Sequence, residues 1–599
     1  MTLRSGTFYS PGRRRLEIYL PPVLITLLAT ALYLYGLDSK SLWFDELATL
    51  TGAGWGGGWL DAIQKPLTIP TTPKPPLSYL VTHLFLFLGE GEFWLRLPAV
   101  LFAILTIPLT YALGTSLLDR QVGVLGALLL AIAPLQIRYA QEARMYAMWS
   151  FLSLLSLYLF WRAARSQEAR WWVLFALVTI LALYTHLFTL LVLGVMILFA
   201  LWLLVRRRTR DRFPFRSRHF VVAVVAILLV YAPMIPFLTE GLVSDEGLGA
   251  EVTSGWSLGG QVQVLRLFSG GNDVGSVVYV LLLIVAVLVL AVKDRQVLAL
   301  ATMWLALPFI IVVGLPFGHG VRVRYFLFAL PVYLLLVAYG LRVVAQWLVS
   351  RFTRLRTLTN LGIASGLTTA LLLGLLAAIN VPSVAAYYHE TKQNWRDATR
   401  LVCAQAEPGD QIFVRHLYHQ VGVLYYINLW CSEPDAWTED NVRLIRGDLT
   451  GALPADDHRQ SWLIVPERAQ YLPGGELEAS IQPQHQLLPP TLFHLSGRPE
   501  EFGIIAPVTF RTVAVVPVVP SEPGSIRFWA DAKSITSGDC TRLRWQVDNV
   551  REVYLDGEGV VGHDQRQVCP SVTTRYELKV VRLDTTETVH TVEIQVTAP

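Results

Sequence analysis

Charge is scarce in this 599-residue chain. Asp, Glu, Lys and Arg together make up 16%, against about 25% in an ordinary soluble protein. Cysteine is scarcer still: there are four, and none precedes Cys403. No Gly-x-x-x-x-Gly-Lys-Ser/Thr segment occurs, so no phosphate-cradling nucleotide loop of that type is offered. So little charge leaves too little polar surface to cover a soluble molecule of this size. That argues against a soluble enzyme, a nucleic-acid-binding protein or a disordered scaffold. The net charge of +4 gives no case for nucleic acid either. What is present is apolar: 53% hydrophobic residues, with 18 Trp, 23 Tyr and 26 Phe. Trp and Tyr collect at membrane interfaces. The apolar excess ends near residue 384.

Apolar stretches of near 20 residues match a bilayer core about 30 Å thick. They predict spans at 18–37, 93–116, 122–138, 145–162, 171–185, 187–205, 218–238, 276–292, 297–315, 325–346 and 360–382. The segment 77–88 (LSYLVTHLFLFL) is short for a span and suits an interfacial or re-entrant helix. The expectation is a polytopic α-helical membrane protein with about 11–13 transmembrane helices. Basic segments at 13–15, 161–170, 205–218, 291–296 and 351–356 fall on one side of this alternation. By the positive-inside tendency that side is cytoplasmic. The opposite side receives 38–92, 139–144, 239–275, 316–324 and everything after 383, including the acidic stretch 240–251. The N-terminus is then inside and the C-terminus outside. The first hydrophobic segment reads as a retained signal anchor, since no small-residue cleavage site follows it.

Charges and turn residues return in the tail. QIFVR (411–415) and SWLIVP (461–466) read as buried strands, and 416–428 as a short helix. These predict an extracytoplasmic α/β module over 384–507, after a membrane domain of 1–383. From 508 to 599 short alternating strands follow one another, which predicts an immunoglobulin-like β-sandwich. All four cysteines lie in this tail. Three pairings are open to them; shared module membership favours Cys403–Cys431 and Cys540–Cys569 in a compartment that permits disulfides.

The few polar clusters of the membrane half recur in loops that the alternation places on one face. Asp45 and Glu46, in Trp43-Phe44-Asp45-Glu46, follow the first span. Adjacent carboxylates at a partly dry site suit proton acceptance from a hydroxyl, or a divalent metal, or merely a helix start. Lys74 stands among prolines and either holds phosphate as a point charge or marks the membrane surface. Glu142 and Arg144 occupy a very short loop, as an ion pair between helices or as ligand-facing groups. His186 ends a helix pair, and Asn272 and Asp273 precede a later span. His319, Arg322 and Arg324 stand at an outer helix mouth, against the positive-inside tendency, which suits an anionic ligand.

At these residues the sequence resembles the GT-C class of membrane glycosyltransferases. The bacterial branch related to protein O-mannosyltransferases and the aminoarabinose transferase of lipid A is the one it is most similar to. The resemblance rests on SLWFDE (41–46), TPKPPLSYL (72–80), EFWLRLP (92–98), YAQEARMY (139–146), YTHLF (184–188), RYFLFALPVYLLL (324–336) and NWRDA (394–398), in family-like order over roughly residues 15–400. It implies a sugar donor carried on a polyprenyl phosphate in the bilayer and an extracytoplasmic acceptor: a protein hydroxyl, a lipid or a glycan. It implies Asp45, with Glu46 beside it, at the acceptor hydroxyl, and Lys74, Arg322 and Arg324 at the donor phosphate. Glu142, Arg144, His186, His319 and Asp273 would support them. No cofactor is implied; if a divalent cation is used, Asp45, Glu46 and His186 are its candidate ligands. The family's second loop usually carries Arg-x-Asp, whereas here Tyr146 follows Arg144 at that spacing and the carboxylate is Glu142. The implied reaction is an inverting transfer at the outer face of a bacterial plasma membrane. A polysaccharide polymerase or ligase using a polyprenyl-linked donor, and a multi-span transporter, are the competing readings.

Overall fold

A computed structural model describes residues 11–68, 74–166, 168–206, 217–237, 258–314, 323–352, 358–407, 410–414, 417–431, 434, 437–438, 440–444, 461–466, 485–487, 491–493, 510–517, 526–547, 550–582 and 587–597. The chain divides into two compact units. The first comprises Met1–Leu449, Gln460–Glu478 and Leu488–Ala514; the second comprises Thr450–Arg459, Ala479–Leu487 and Val515–Pro599.

The first unit is mostly helical. Among the described residues six helices are long and apolar enough to cross a membrane: Glu92–Leu117, Tyr146–Arg165, Arg218–Phe237, Asp273–Lys293, Val323–Arg351 and Ile363–His389. The shorter apolar helices Ile18–Leu34, Ala169–Leu183, Thr189–Val205 and Arg295–Ile311 fall on four further expected spans. The chain is a multi-pass membrane protein. Its outermost helices keep apolar side chains exposed, as at Leu367, Leu371 and Leu375. Such a stripe, at a spacing of four, is what lipid covers.

Two local expectations are corrected or resolved. The segment 122–138 is not one straight span: Arg120–Ala131 and Pro134–Ala140 meet at 61°. Pro134 is the cause, because it has no N–H to donate and its ring clashes with the preceding turn. The stretch at 77–88 forms the helix Leu77–Leu86, ten residues long. At 1.5 Å per residue it covers about 15 Å, half of a bilayer core. Helix packing is close where side chains are small. A Cβ added to Gly123 would lie 2.6 Å from the Tyr111 carbonyl, so the helices Glu92–Leu117 and Arg120–Ala131 meet nearly backbone to backbone.

The α/β part follows in the same unit. Strand Gln411–Val414 is flanked by Val442–Leu444 and Ser461–Pro466, both parallel to it. Helices Trp395–Gln405 and Leu417–Trp430 pack beside it, joined by the disulfide Cys403–Cys431. Trp395, Val423 and Tyr426 share a buried cluster with Leu42, Leu47 and Leu50 of the segment between the first two long helices. A Cβ at Gly422 would be 2.8 Å from Leu47. This part therefore rests directly on the helix Phe44–Gly52.

The second unit holds a β-sandwich. One sheet pairs Glu558–Val560, Val550–Leu555, Thr574–Arg582, Glu587–Thr597 and Ser534–Thr536; the other pairs His563–Val568, Thr541–Val547 and Ile526–Ala530. The core alternates along the strands, as period-two patterning requires: Leu543, Trp545 and Val547 point in from one sheet and Leu578 and Val580 from the other. Cys540 and Cys569 are bonded.

Candidate active site

The helix Phe44–Gly52 starts at Trp43, whose backbone is extended and whose carbonyl accepts from the Glu46 N–H. Asp45 and Glu46 lie in its first turn, where the helix dipole favours negative charge. Their side chains have separate surroundings. Glu46 is completely buried. Arg96 Nε and Nη2 each donate to it at 2.8 Å, Lys392 Nζ at 3.1 Å and the Ala143 N–H at 2.9 Å. Burial alone would raise its pKa, but the two cations outweigh burial and hold it down at about 2. Arg96 uses its other donors on the Leu37, Lys40 and Ser41 carbonyls. One guanidinium thus ties the loop 37–46 to the helix Glu92–Leu117.

Further ties surround this knot. Arg138 pairs with Glu390, and Lys40 donates to the Tyr387 carbonyl with its ammonium 3.5 Å from the Tyr387 ring centre. Burial and nearby Lys392 push Lys40 down to about 6. Arg396 binds Glu92 at 2.6 Å, and the Tyr426 hydroxyl donates to the same carboxylate while accepting from the Leu42 N–H. Gln393 accepts from the Phe44 N–H. Loop 38–46 is clamped from both sides.

Asp45 keeps some access, with 17% of its side chain exposed. Arg324 Nη1 donates to Asp45 Oδ2 at 2.5 Å, and Arg144 Nε lies 3.9 Å from that oxygen. Arg144 Nη1 also donates to the Asp45 carbonyl and the Thr49 hydroxyl, both at 3.0 Å. Tyr146 underlies both guanidiniums, 5.8 Å from Arg144 and 5.6 Å from Arg324. Lys74 joins the cluster: burial lowers its pKa to about 8, with Arg144 and Arg324 adding to the fall and Asp45 opposing it. Its ammonium makes no hydrogen bond among the described residues. Three cations therefore face one carboxylate, a local excess that favours an anion. His186 stacks on Trp149 at 4.3 Å. Burial and the cations Arg144, Lys74 and Arg324 keep it neutral, with its pKa near 3. Glu142 is buried, its Oε1 has no partner among the described residues, and burial raises its pKa to about 7.

The structure thus brings together Asp45, Lys74, Glu142, Arg144, His186 and Arg324. Asp273 stands apart, largely exposed and paired with Arg266 at 3.3 Å; Asn272, not Asp273, caps the helix behind it. His319 and Arg322 lie outside the described residues. The carboxylates considered for a metal are already committed, Glu46 to Arg96 and Lys392 and Asp45 to Arg324. Among the described residues no three His, Cys, Asp or Glu side chains converge as a metal site. Sequence reasoning assigned no role to Arg96, Lys392, Glu390 or Tyr146. A signal existed for Arg96, an arginine in an apolar helix, where an unpaired charge is costly; Lys392, the other cation on Glu46, had none, because it is 346 residues from that carboxylate.

Residues 73–237 match the family model described as dolichyl-phosphate-mannose-protein mannosyltransferase. No curated protein matches the chain. Among solved structures, the chain is similar to ArnT from Cupriavidus metallidurans bound to undecaprenyl phosphate, with 12% identity, 82% of this chain and 97% of that chain covered, and a TM-score of 0.52. It is also similar to the Archaeoglobus fulgidus oligosaccharyltransferase tethered to an acceptor peptide, with 10% identity, coverage of 98% and 99%, and a TM-score of 0.53. The complex of that organism's AglB with an inhibitory peptide and a dolichol-phosphate matches at 10% identity, coverage of 98% and 99%, and a TM-score of 0.51. The chain is a multi-pass membrane protein of GT-C fold, and across residues 73–237 it aligns with the protein mannosyltransferase-like superfamily.

Proposed function

We propose that the chain transfers a sugar from a polyprenyl-phosphate donor to an acceptor hydroxyl outside the cytoplasm, with inversion. The observation that carries this reading is the set of three cations, Lys74, Arg144 and Arg324, around the single accessible carboxylate of Asp45. The undecaprenyl phosphate and dolichol-phosphate bound to similarly folded proteins support it. The donor phosphate is held by the cations. The acceptor oxygen attacks C1 of the sugar as the C1–O bond to phosphate breaks. The bonding pair leaves with the lipid phosphate, whose growing charge the cations stabilise. The hydroxyl proton passes to Asp45, which the phosphate frees from Arg324. Glu46 is a positioning residue: fixed by Arg96 and Lys392, it sets the helix that aims Asp45. His186, neutral, supplies shape and no charge.

The test reconstitutes the full chain with a panel of polyprenyl-phosphate sugars and measures release of lipid phosphate. Asp45→Asn is expected to lower turnover by about 100-fold or more, the usual worth of a general base. Equal turnover of the two proteins would refute the role of Asp45.

A further inference from the structure

Beyond the C-terminal end of the helix Phe44–Gly52, residues 54–57 and the helix Leu417–Trp430 line a partly open cavity of about 540 Å³. Small-molecule sites run from about 300 to 1,000 Å³. Its apolar wall carries the rings of Trp55, Phe87 and Trp437, and its polar end carries Glu90 and Asn428. The Asn428 amide donates to Glu90 Oε2 at 2.7 Å. This bond leaves the Asn428 carbonyl and the second Glu90 oxygen open among the described residues. His83 also lines the cavity. Its Nδ1 lies 2.7 Å from the Ala53 carbonyl, which can only accept, so Nδ1 carries the proton. Nε2 has no partner among the described residues, but it is itself buried and does not open on the cavity.

We propose that this cavity binds carbohydrate, and specifically a part of the acceptor glycan remote from the reacting hydroxyl. The inference rests on the transfer reaction proposed above for the acceptor role, but not for the binding itself. The lining selects the class. Among the described residues no Lys or Arg lines the cavity and Glu90 does, so an anion is repelled. A lipid chain would leave the Glu90–Asn428 pair facing hydrocarbon, which is costly. A neutral sugar ring suits this lining: its C–H face lies against tryptophan and its hydroxyls donate to Asn428 and Glu90. The position suits an acceptor. Trp55 follows the C-terminal end of the helix Phe44–Gly52, whose first turn holds Asp45. The two ends are about 13 Å apart at 1.5 Å per residue. A chain of sugars anchored at Trp55 reaches Asp45, and remote binding energy of this kind is spent on orienting the reacting end.

The test uses purified full-length protein in nanodiscs. Mannotriose, maltotriose and chitotriose are titrated by calorimetry, alongside an uncharged Ser/Thr-rich peptide. At least one trisaccharide is expected to bind saturably. Trp55→Ala is expected to weaken it about tenfold, the scale of one well-packed aromatic anchor. Trp55 also touches Tyr425, with ring centres 5.6 Å apart, so the exposed Asn428→Ala serves as a second variant that spares the packing; it should weaken binding as well. Asp45→Asn should leave binding unchanged, which separates this site from the reaction. Saturable binding of the peptide alone, binding of nothing, or sugar binding indifferent to both cavity variants would each overturn the proposal.

Discussion

At the scale of the residue, two neighbouring carboxylates have been given opposite tasks. Glu46 is fully buried and its oxygens are taken up by Arg96, Lys392 and the Ala143 N–H. Its value lies in geometry. Breaking a buried, hydrogen-bonded ion pair from one side costs about 3–5 kcal/mol, so Glu46→Gln should lower the thermal midpoint of the detergent-solubilised protein. Arg96→Lys should do nearly as much, because an ammonium cannot bond both carboxylate oxygens and three carbonyls at once. A midpoint unchanged in both variants would mean that the knot is not structural. Glu142 gives a pH signature. Its folded pKa of about 7 lies above the ordinary 4.5. The folded state therefore binds more protons between those values, and the stability held by the neutral acid is present below about 4.5 and lost as pH rises through 7. Glu142→Gln should flatten that part of the stability-against-pH curve. A curve of unchanged slope would refute the assignment.

At the scale of the element, the site depends on short pieces between long ones. The helix Phe44–Gly52 carries Asp45, the 61° break at Pro134 leads into the loop of Glu142 and Arg144, and the 3-10 segment Val323–Ala329, which opens the span Val323–Arg351, delivers Arg324. The long helices supply the rigid frame, and where they touch most closely the contact is glycine. Gly123→Val would drive a branched side chain into the Tyr111 carbonyl and the Thr115 hydroxyl. Overpacking of this kind costs about 1–3 kcal/mol, and a lower thermal midpoint with intact helical circular dichroism is the expected result.

At the scale of the whole molecule, the first compact unit combines membrane helices with the α/β part. The clamp of Arg396, Gln393 and Tyr426 on loop 38–46 makes the α/β part a structural support of the site. Its disulfide spans 28 residues. A loop of that length is worth about 3.5 kcal/mol through the unfolded chain. The double variant Cys403→Ser, Cys431→Ser should therefore lose stability and, through the clamp, activity as well. The double variant Cys540→Ser, Cys569→Ser should destabilise the sandwich alone; equal loss of turnover in both would contradict this division.

Much of this was legible in the residues. Hydropathy marked the helices, because a bilayer rewards unbroken apolar runs whatever their neighbours. Alternation marked the sandwich strands, because one face of each is buried. The scarce charges between the apolar stretches pointed to Asp45, Lys74, Arg144, Arg324 and His186, since a charge near a membrane is costly. The sequence by itself determined the membrane class, the element types and the candidates for chemistry. Only the tertiary structure decided that Asp45 faces the cations while Glu46 is locked to Arg96 and Lys392, that Asp273 stands elsewhere, and that Trp55 and Trp437 share a cavity. The reason is that periodicity reports which face of an element is buried, whereas partners hundreds of residues apart are chosen by packing, which leaves no local mark in the chain.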